Sequence, residues 1–258
     1  MQRWTEQSRF TDPGRHAAPF ALLGPAPEDA ALAIQGLLIH GEALQRYGLE
    51  PRPFIRDTLA VETRLAEVLA ADDRPLSMER PVRARALGTC RDYAVLLCAA
   101  MRQHGRPARV RCGFAAYFAP GSWQDHWICE VWSGDRWRRI DAQLDRKSRQ
   151  ALGVEFDPCD LPPAVYLTGE EAWRACRDGR IDPALVGRDR TRGLWFALVN
   201  LVRDRLALAD RFTSDWDGWR AAAPATFSLG PEMLEAADRM AGEDPLEPPS
   251  LAPWWLGG

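Results

Sequence analysis

The sequence predicts an α+β protein in which a buried helix packs on an antiparallel sheet, with further helices before and after. Two observations carry this. Apolar residues fill both faces of a helical repeat over residues 90–101, bracketed by Thr89 in front and His104-Gly105-Arg106-Pro107 behind. A helix with no wet side belongs in a core, and Gly followed by Pro stops it. From Arg109 the texture becomes β-branched and aromatic, with breaks at Pro120-Gly121 and Ser133-Gly134-Asp135, as strands and turns require. At 258 residues and 46% hydrophobic content, the chain has material for a substantial core.

Taken in order, residues 1–26 are rich in Pro, Gly and Arg and read as an irregular leader on the surface. Pro27 suits a first helical turn, and Ile34, Leu37, Leu38 and Leu44 form an apolar stripe up to Gly48. One helix is expected there, with His40 on it as a packing or solvent-edge residue. A second is expected from about Phe54 to Ala71, anchored by Leu65, Val68 and Leu69. Residues 73–87, with Pro75, Pro81 and four arginines, read as a connection. Strands are expected over 109–118, 125–132 and 136–142. The stretch from Leu144 to Pro163 reads as a polar connection with Cys159 as a loop thiol. Thr168-Gly169-Glu170-Glu171 is a capping box opening a short helix through Trp173 and Cys176, closed near Gly179. A longer helix follows from Gly193 to about Asp210, with Leu194, Leu198, Leu201 and Val202 as its core stripe and Arg203 and Asp204 on a wetter side. Pro231 opens a last helix before a Pro-rich tail ending in Trp254-Trp255. The expected organisation is an N-terminal leader and helices (1–79), a central core (80–160) and a C-terminal helical extension (161–258), in one compact unit.

Composition excludes several function classes. The net charge is −3, from 33 basic and 36 acidic residues spread along the chain, so the general basic field of a nucleic-acid binder is missing. No apolar run approaches a membrane span, and the N-terminus lacks a signal-type apolar region. Six cysteines without dense spacing fit reduced thiols and a cytoplasmic protein. No CxxC pair, P-loop, GxGxxG or DxDxDG loop occurs, so neither a metal nor a cofactor is expected.

The chemistry points to Cys90. With Thr89 as N-cap and Asp92 three residues on, Cys90 is the first residue of its helix. There the partial positive charge of the helix end favours thiolate over thiol. Cys98, Cys112, Cys129 and Cys176 read as small packing residues. The hairpin from Asp125 to Ala142 supplies the partners. A loop of two residues (Gly134-Asp135) or four (Ser133 to Arg136) makes paired residue numbers sum to 269, so Ile128 faces Asp141 and His126 faces Gln143. His126 and Asp141 then share a face with Trp132, Trp137 and Arg139, while Trp127 and Cys129 point the other way. A loop of three or five residues would reverse this unless a bulge intervened. In such a set His126 takes the proton from Cys90 and returns it to the leaving group, while Asp141 orients the imidazole. Asp125, Asp135 and Asp145 are rivals for the carboxylate role. The Cys90 amide can donate to an oxyanion, and a second donor, as a substrate-binding group, is the Trp123 indole or the Tyr117 phenol.

Three separated motifs resemble the transglutaminase-like superfamily: Gly88-Thr89-Cys90-Arg91-Asp92-Tyr93, then Gly105-Arg106-Pro107-Ala108-Arg109-Val110, then Asp125-His126-Trp127 through Glu130-Val131 to Gly134, Trp137 and Asp141. The resemblance covers about residues 80–145 and implies a papain-like core, a nucleophile helix on an antiparallel sheet, with Cys90, His126 and Asp141 as the triad. It implies acyl transfer or amide hydrolysis through a thioester on Cys90, acting on an amide- or thioester-bearing substrate that includes peptides and proteins. The chain looks like a compact bacterial-type member, without the β-domains and calcium sites of the large animal enzymes. A catalytically silent binding or scaffold protein and a cysteine protease are the alternatives.

Overall fold

A computed structural model describes residues 1–57, 60–188, 191–212 and 229–243; the Trp254-Trp255 tail lies outside them. The chain divides into two units, one of Met1–Val110 with Ile128–Leu161, the other of Arg111–Trp127 with Pro162–Gly258.

In the first unit the leader carries a single turn α1 (Ala17–Phe20), followed by α2 (Pro27–Leu37), β1 (Leu38–His40), α3 (Val61–Ala71), β2 (Ala86–Gly88) and α4 (Cys90–Gln103). Every residue of α4 from Cys90 to Arg102 is buried, as its two apolar faces require. The leader is not a surface coat: Trp4, Phe20 and Leu23 are buried, Gln7 Nε2 donates to Ala99 O at 2.9 Å, and Arg102 Nη1 donates to Glu6 O at 3.0 Å. Its anchors sit singly between turns and therefore show no period.

Two expected helices are shorter than their apolar patterns. α2 stops at Leu37 because Leu38, Ile39 and His40 pair in parallel with Ala86, Leu87 and Gly88, so tertiary pairing overrides a continuing stripe. His40 is thus on a strand, its Nδ1 accepting from the Glu42 amide at 3.2 Å. α3 starts at Val61 rather than Phe54, since Pro51 and Pro53 hold the preceding stretch out of helix.

The strands β3 (Ala108–Ala115) and β4 (Gln124–Trp132) each run from one unit into the other, and β5 (Trp137–Ile140) and α5 (Arg146–Leu152) complete the first. In the second unit β3 pairs antiparallel with β6 (Tyr166–Thr168), Gly113 opposite Thr168. β4 and β5 pair with Cys129 opposite Ile140 and Trp132 opposite Trp137, the register of the four-residue loop Ser133–Arg136, which Ser133 N closes on Arg136 O at 2.9 Å. On one face Glu130 is clamped by Arg109 (2.7 Å) and Arg139 (3.3 Å). Arg109 also stacks on Trp137 and Trp4, 4.1 and 5.0 Å from the ring centres. The expected connection after Leu144 contains α5, capped where Asp145 Oδ1 accepts from Ser148 N at 2.7 Å.

In the second unit, β6 leads directly into α6 (Gly169–Arg177), followed by the short pair β7 (Gly187–Arg188) and β8 (Thr191–Arg192), α7 (Leu194–Leu208) and α8 (Pro231–Gly242). Phe114, Trp173, Phe196, Leu201, Val202 and Met240 form its core. Gly113 and Gly169 are close-approach points: a Cβ there would lie 2.0 Å from Leu167 O and 2.2 Å from Asn200 O. The wetter side expected for α7 does not exist, because Arg203 and Asp204 are fully buried. Asp204 takes a bidentate pair from Arg111 at 2.8 and 2.7 Å and the Cys112 amide at 3.1 Å.

Candidate functional site

Cys90 stands where its capping predicts, at the first position of α4 with Thr89 as N-cap. Asp92 Oδ2 accepts from the Thr89 amide at 2.7 Å and from its hydroxyl at 3.0 Å. Asp92 Oδ1 is held by Arg64 from α3, Nε at 3.2 Å and Nη2 at 2.9 Å, and Arg64 Nη1 also reaches Leu87 O at 2.8 Å. This buried guanidinium ties the cap, the strand before it and α3 together. Sequence reading missed Arg64, since a lone arginine among helix anchors gives no local sign of burial.

A groove of about 420 Å³ in the same unit is lined by Gly41, Glu42, Leu44, Phe54 and Arg56 among others. Two of its lining residues are bonded to the segment around Cys90: Gly41 N donates to Gly88 O at 2.9 Å, and Arg91 Nη2 donates to Arg56 O at 2.8 Å.

Asp141, buried in the first unit, follows the last residue of β5. The ladder ends at Ile140, and the Asp141 amide turns to Pro158 O at 2.8 Å. Its Oδ1 accepts from Gln143 N at 2.9 Å, an Asx-type turn that fixes the carboxylate. The β4–β5 register is the expected one, with Cys129 opposite Ile140, and the ladder stops one residue before Asp141.

His126 belongs to the second unit and is buried. Its ring meets Phe118 edge-on at 4.8 Å and Tyr117 at 5.9 Å, so Tyr117 is brought beside it. Trp123 is tied elsewhere in that unit. Its amide donates to Leu185 O at 2.8 Å, its carbonyl accepts from Gly187 N at 2.7 Å, and its side chain packs against the α7 core. Asp125 accepts from Asn200 Nδ2 at 2.8 Å, and Asp145 is engaged by Tyr47 Oη at 2.6 Å.

Burial disfavours the thiolate at three of the other cysteines. Burial pushes Cys129 well above the ordinary thiol value, reinforced by Cys98. It pushes Cys159 up to about 12 and Cys176 up to about 11. Among the described residues, no group of three or more His, Cys, Asp or Glu side chains is arranged to hold a metal ion, and no helix is long and apolar enough to cross a membrane.

Residues 58–142 match the model of the transglutaminase-like superfamily. That third of the chain is similar to a transglutaminase-like core. The matched stretch holds α3, the Cys90 helix, β3, β4 and β5, an α+β arrangement, and the match supports cysteine-based catalysis in general. A solved structure from Cytophaga hutchinsonii, provisionally named a cysteine protease, is similar at 20% identity and a TM-score of 0.34, covering 55% of this chain and 41% of that one. A likeness so slight carries no functional argument. No curated protein matches.

Proposed function

We propose that this transglutaminase-like protein transfers or hydrolyses acyl groups through a thioester on Cys90, with His126 as base and acid and Asp141 as the orienting carboxylate. The observation that carries this reading is the cysteine at the first position of a capped, buried helix, where the helix end favours thiolate. The matched β4–β5 register adds support. His126 takes the Cys90 proton as sulfur attacks the carbonyl carbon of an amide or thioester. The Cys90 amide donates to the oxyanion, with the Tyr117 phenol, beside His126, as the second donor and substrate-binding group. The carbon–nitrogen or carbon–sulfur bond then breaks, and His126 returns the proton to the departing amine or thiol. Water or an amine attacks the acyl thioester, gives its proton to His126 and releases Cys90. The acyl donor is an amide- or thioester-bearing molecule, a class that includes peptides and proteins. The reaction requires no metal or cofactor, and a cytoplasmic setting suits its reduced thiol.

The test is site-resolved alkylation by iodoacetamide across pH, for wild type and His126→Ala. Cys90 should outpace the other five thiols near neutral pH and lose that lead in the variant. A Cys90 that titrates like an ordinary thiol, near about 8.5, with no acyl adduct formed from activated thioesters, would leave the scaffold reading in its place. Release of peptide fragments on incubation with unstructured protein would choose the protease reading over transfer.

A further inference from the structure

The segment carrying His126 is held from behind by α7, which lies beyond the matched stretch of residues 58–142. Arg203 is completely buried and reaches both neighbours of His126. Its Nη1 lies 3.4 and 3.3 Å from the two Asp125 carboxylate oxygens, and its guanidinium stacks 5.0 Å from the centre of the Trp127 ring. Asn200, one turn earlier, completes the grip. Its Nδ2 donates to Asp125 Oδ1 at 2.8 Å and to Gly113 O at 3.0 Å, and its Oδ1 accepts from Arg203 Nη1 at 3.0 Å. The Tyr166 hydroxyl, from β6, lies 3.2 Å from the His126 carbonyl oxygen.

Strand alternation sends Asp125 and Trp127 to the face opposite His126. Fixing both therefore fixes the Cα–Cβ direction of His126 while leaving its imidazole untouched. A guanidinium suits this task because its plane can stack while its edge donates, which a lysine cannot reproduce. A packing role alone would be met by an apolar side chain of similar volume, without the cost of burying a charge.

We infer that Arg203, seconded by Asn200, is a positioning residue for His126, setting the imidazole orientation that the proposed reaction needs. This rests on the function proposed above. The titratable and charged groups around this segment in its own unit are Asp125, Arg203, Arg111, Asp204, Tyr117 and Tyr166.

The experiment compares wild type, Arg203→Met, Arg203→Lys and Asp125→Asn, with Met240→Ala as a control that loosens the same core. Cys90 alkylation is followed against pH, and the His126 imidazole is titrated by nitrogen-15 NMR. Arg203→Met should move the Cys90 inflection toward the ordinary thiol value and slow alkylation at pH 7 about tenfold, with a displaced His126 titration. Arg203→Lys should recover only part of this. Met240→Ala should lower the melting temperature yet leave both profiles in place. An unshifted profile in Arg203→Met, or an equal shift in Met240→Ala, overturns the inference. Should Arg203→Met fail to fold, Asp125→Asn decides, because unshifted titrations there overturn it equally. Wild-type Cys90 without His126-dependent reactivity would instead overturn the proposed function, while the NMR titrations still report whether Arg203 orients the ring.

Discussion

Two helices of this protein begin with the same device and differ in the residue just inside the cap. Thr89 and Asp92 open α4, and Thr168 and Glu171 open α6, in each case with the third helical residue's carboxylate accepting from the cap amide. The first helical residue is Cys90 in one and Gly169 in the other. In α6 that position is pressed against the α7 backbone, where even a Cβ would lie 2.2 Å from Asn200 O. In α4 the cap carboxylate is locked by buried Arg64, and the first position carries a sulfur. The capping motif thus says where a helix starts. The first helical residue, and the groups that stand against it, separate a packing joint from a candidate nucleophile.

The most damaging way to break this comparison is at the first position of α4. Cys90→Ala should remove acyl-adduct formation and any turnover of thioesters or amides, a loss on the order of 10⁴-fold or more, with the fold kept as judged by thermal melting. Next comes the lock on the cap. Arg64→Met leaves Asp92 buried without its guanidinium and should cost about 3–5 kcal/mol in urea unfolding. The third sharpens the contrast between thiols. Burial raises Cys176 to about 11 and Cys159 to about 12, so at pH 8 both remain protonated. Their alkylation should be slower than that of Cys90 by roughly 10²-fold or more, and should climb about tenfold per pH unit up to pH 10. A smaller effect is expected at the joint. Gly169→Ala should cost about 1–3 kcal/mol from overpacking, with no change in the alkylation of Cys90. The smallest is the cap itself: Thr168→Ala should cost about 1 kcal/mol, measured by the shift in urea midpoint.

The signals legible in the chain are those that close within a few residues. Both capping boxes, the stops at Gly105 and Gly179, and the parity of the hairpin around Ser133–Arg136 were readable, because each depends on neighbours the chain itself supplies. So were the placement of Cys90 at a helix start and the texture of an α+β fold. Where a segment's state depends on a distant partner, local reading fails. The apolar stripe after Leu37 reads as helix until β2, nearly fifty residues later, draws Leu38–His40 into a strand. The leader reads as surface until Trp4 meets Trp137, with ring centres 5.2 Å apart. Asp204 and Arg203 read as solvated because charge normally seeks water. Their partners Arg111 and Asp125 lie 93 and 78 residues away, and only the packing of α7 behind the β3 and β4 segments of its unit brings these charges together. Local chemistry depends on covalent neighbours and can be read along the chain; the burial and pairing of charge depend on which surfaces meet, and that is decided in three dimensions.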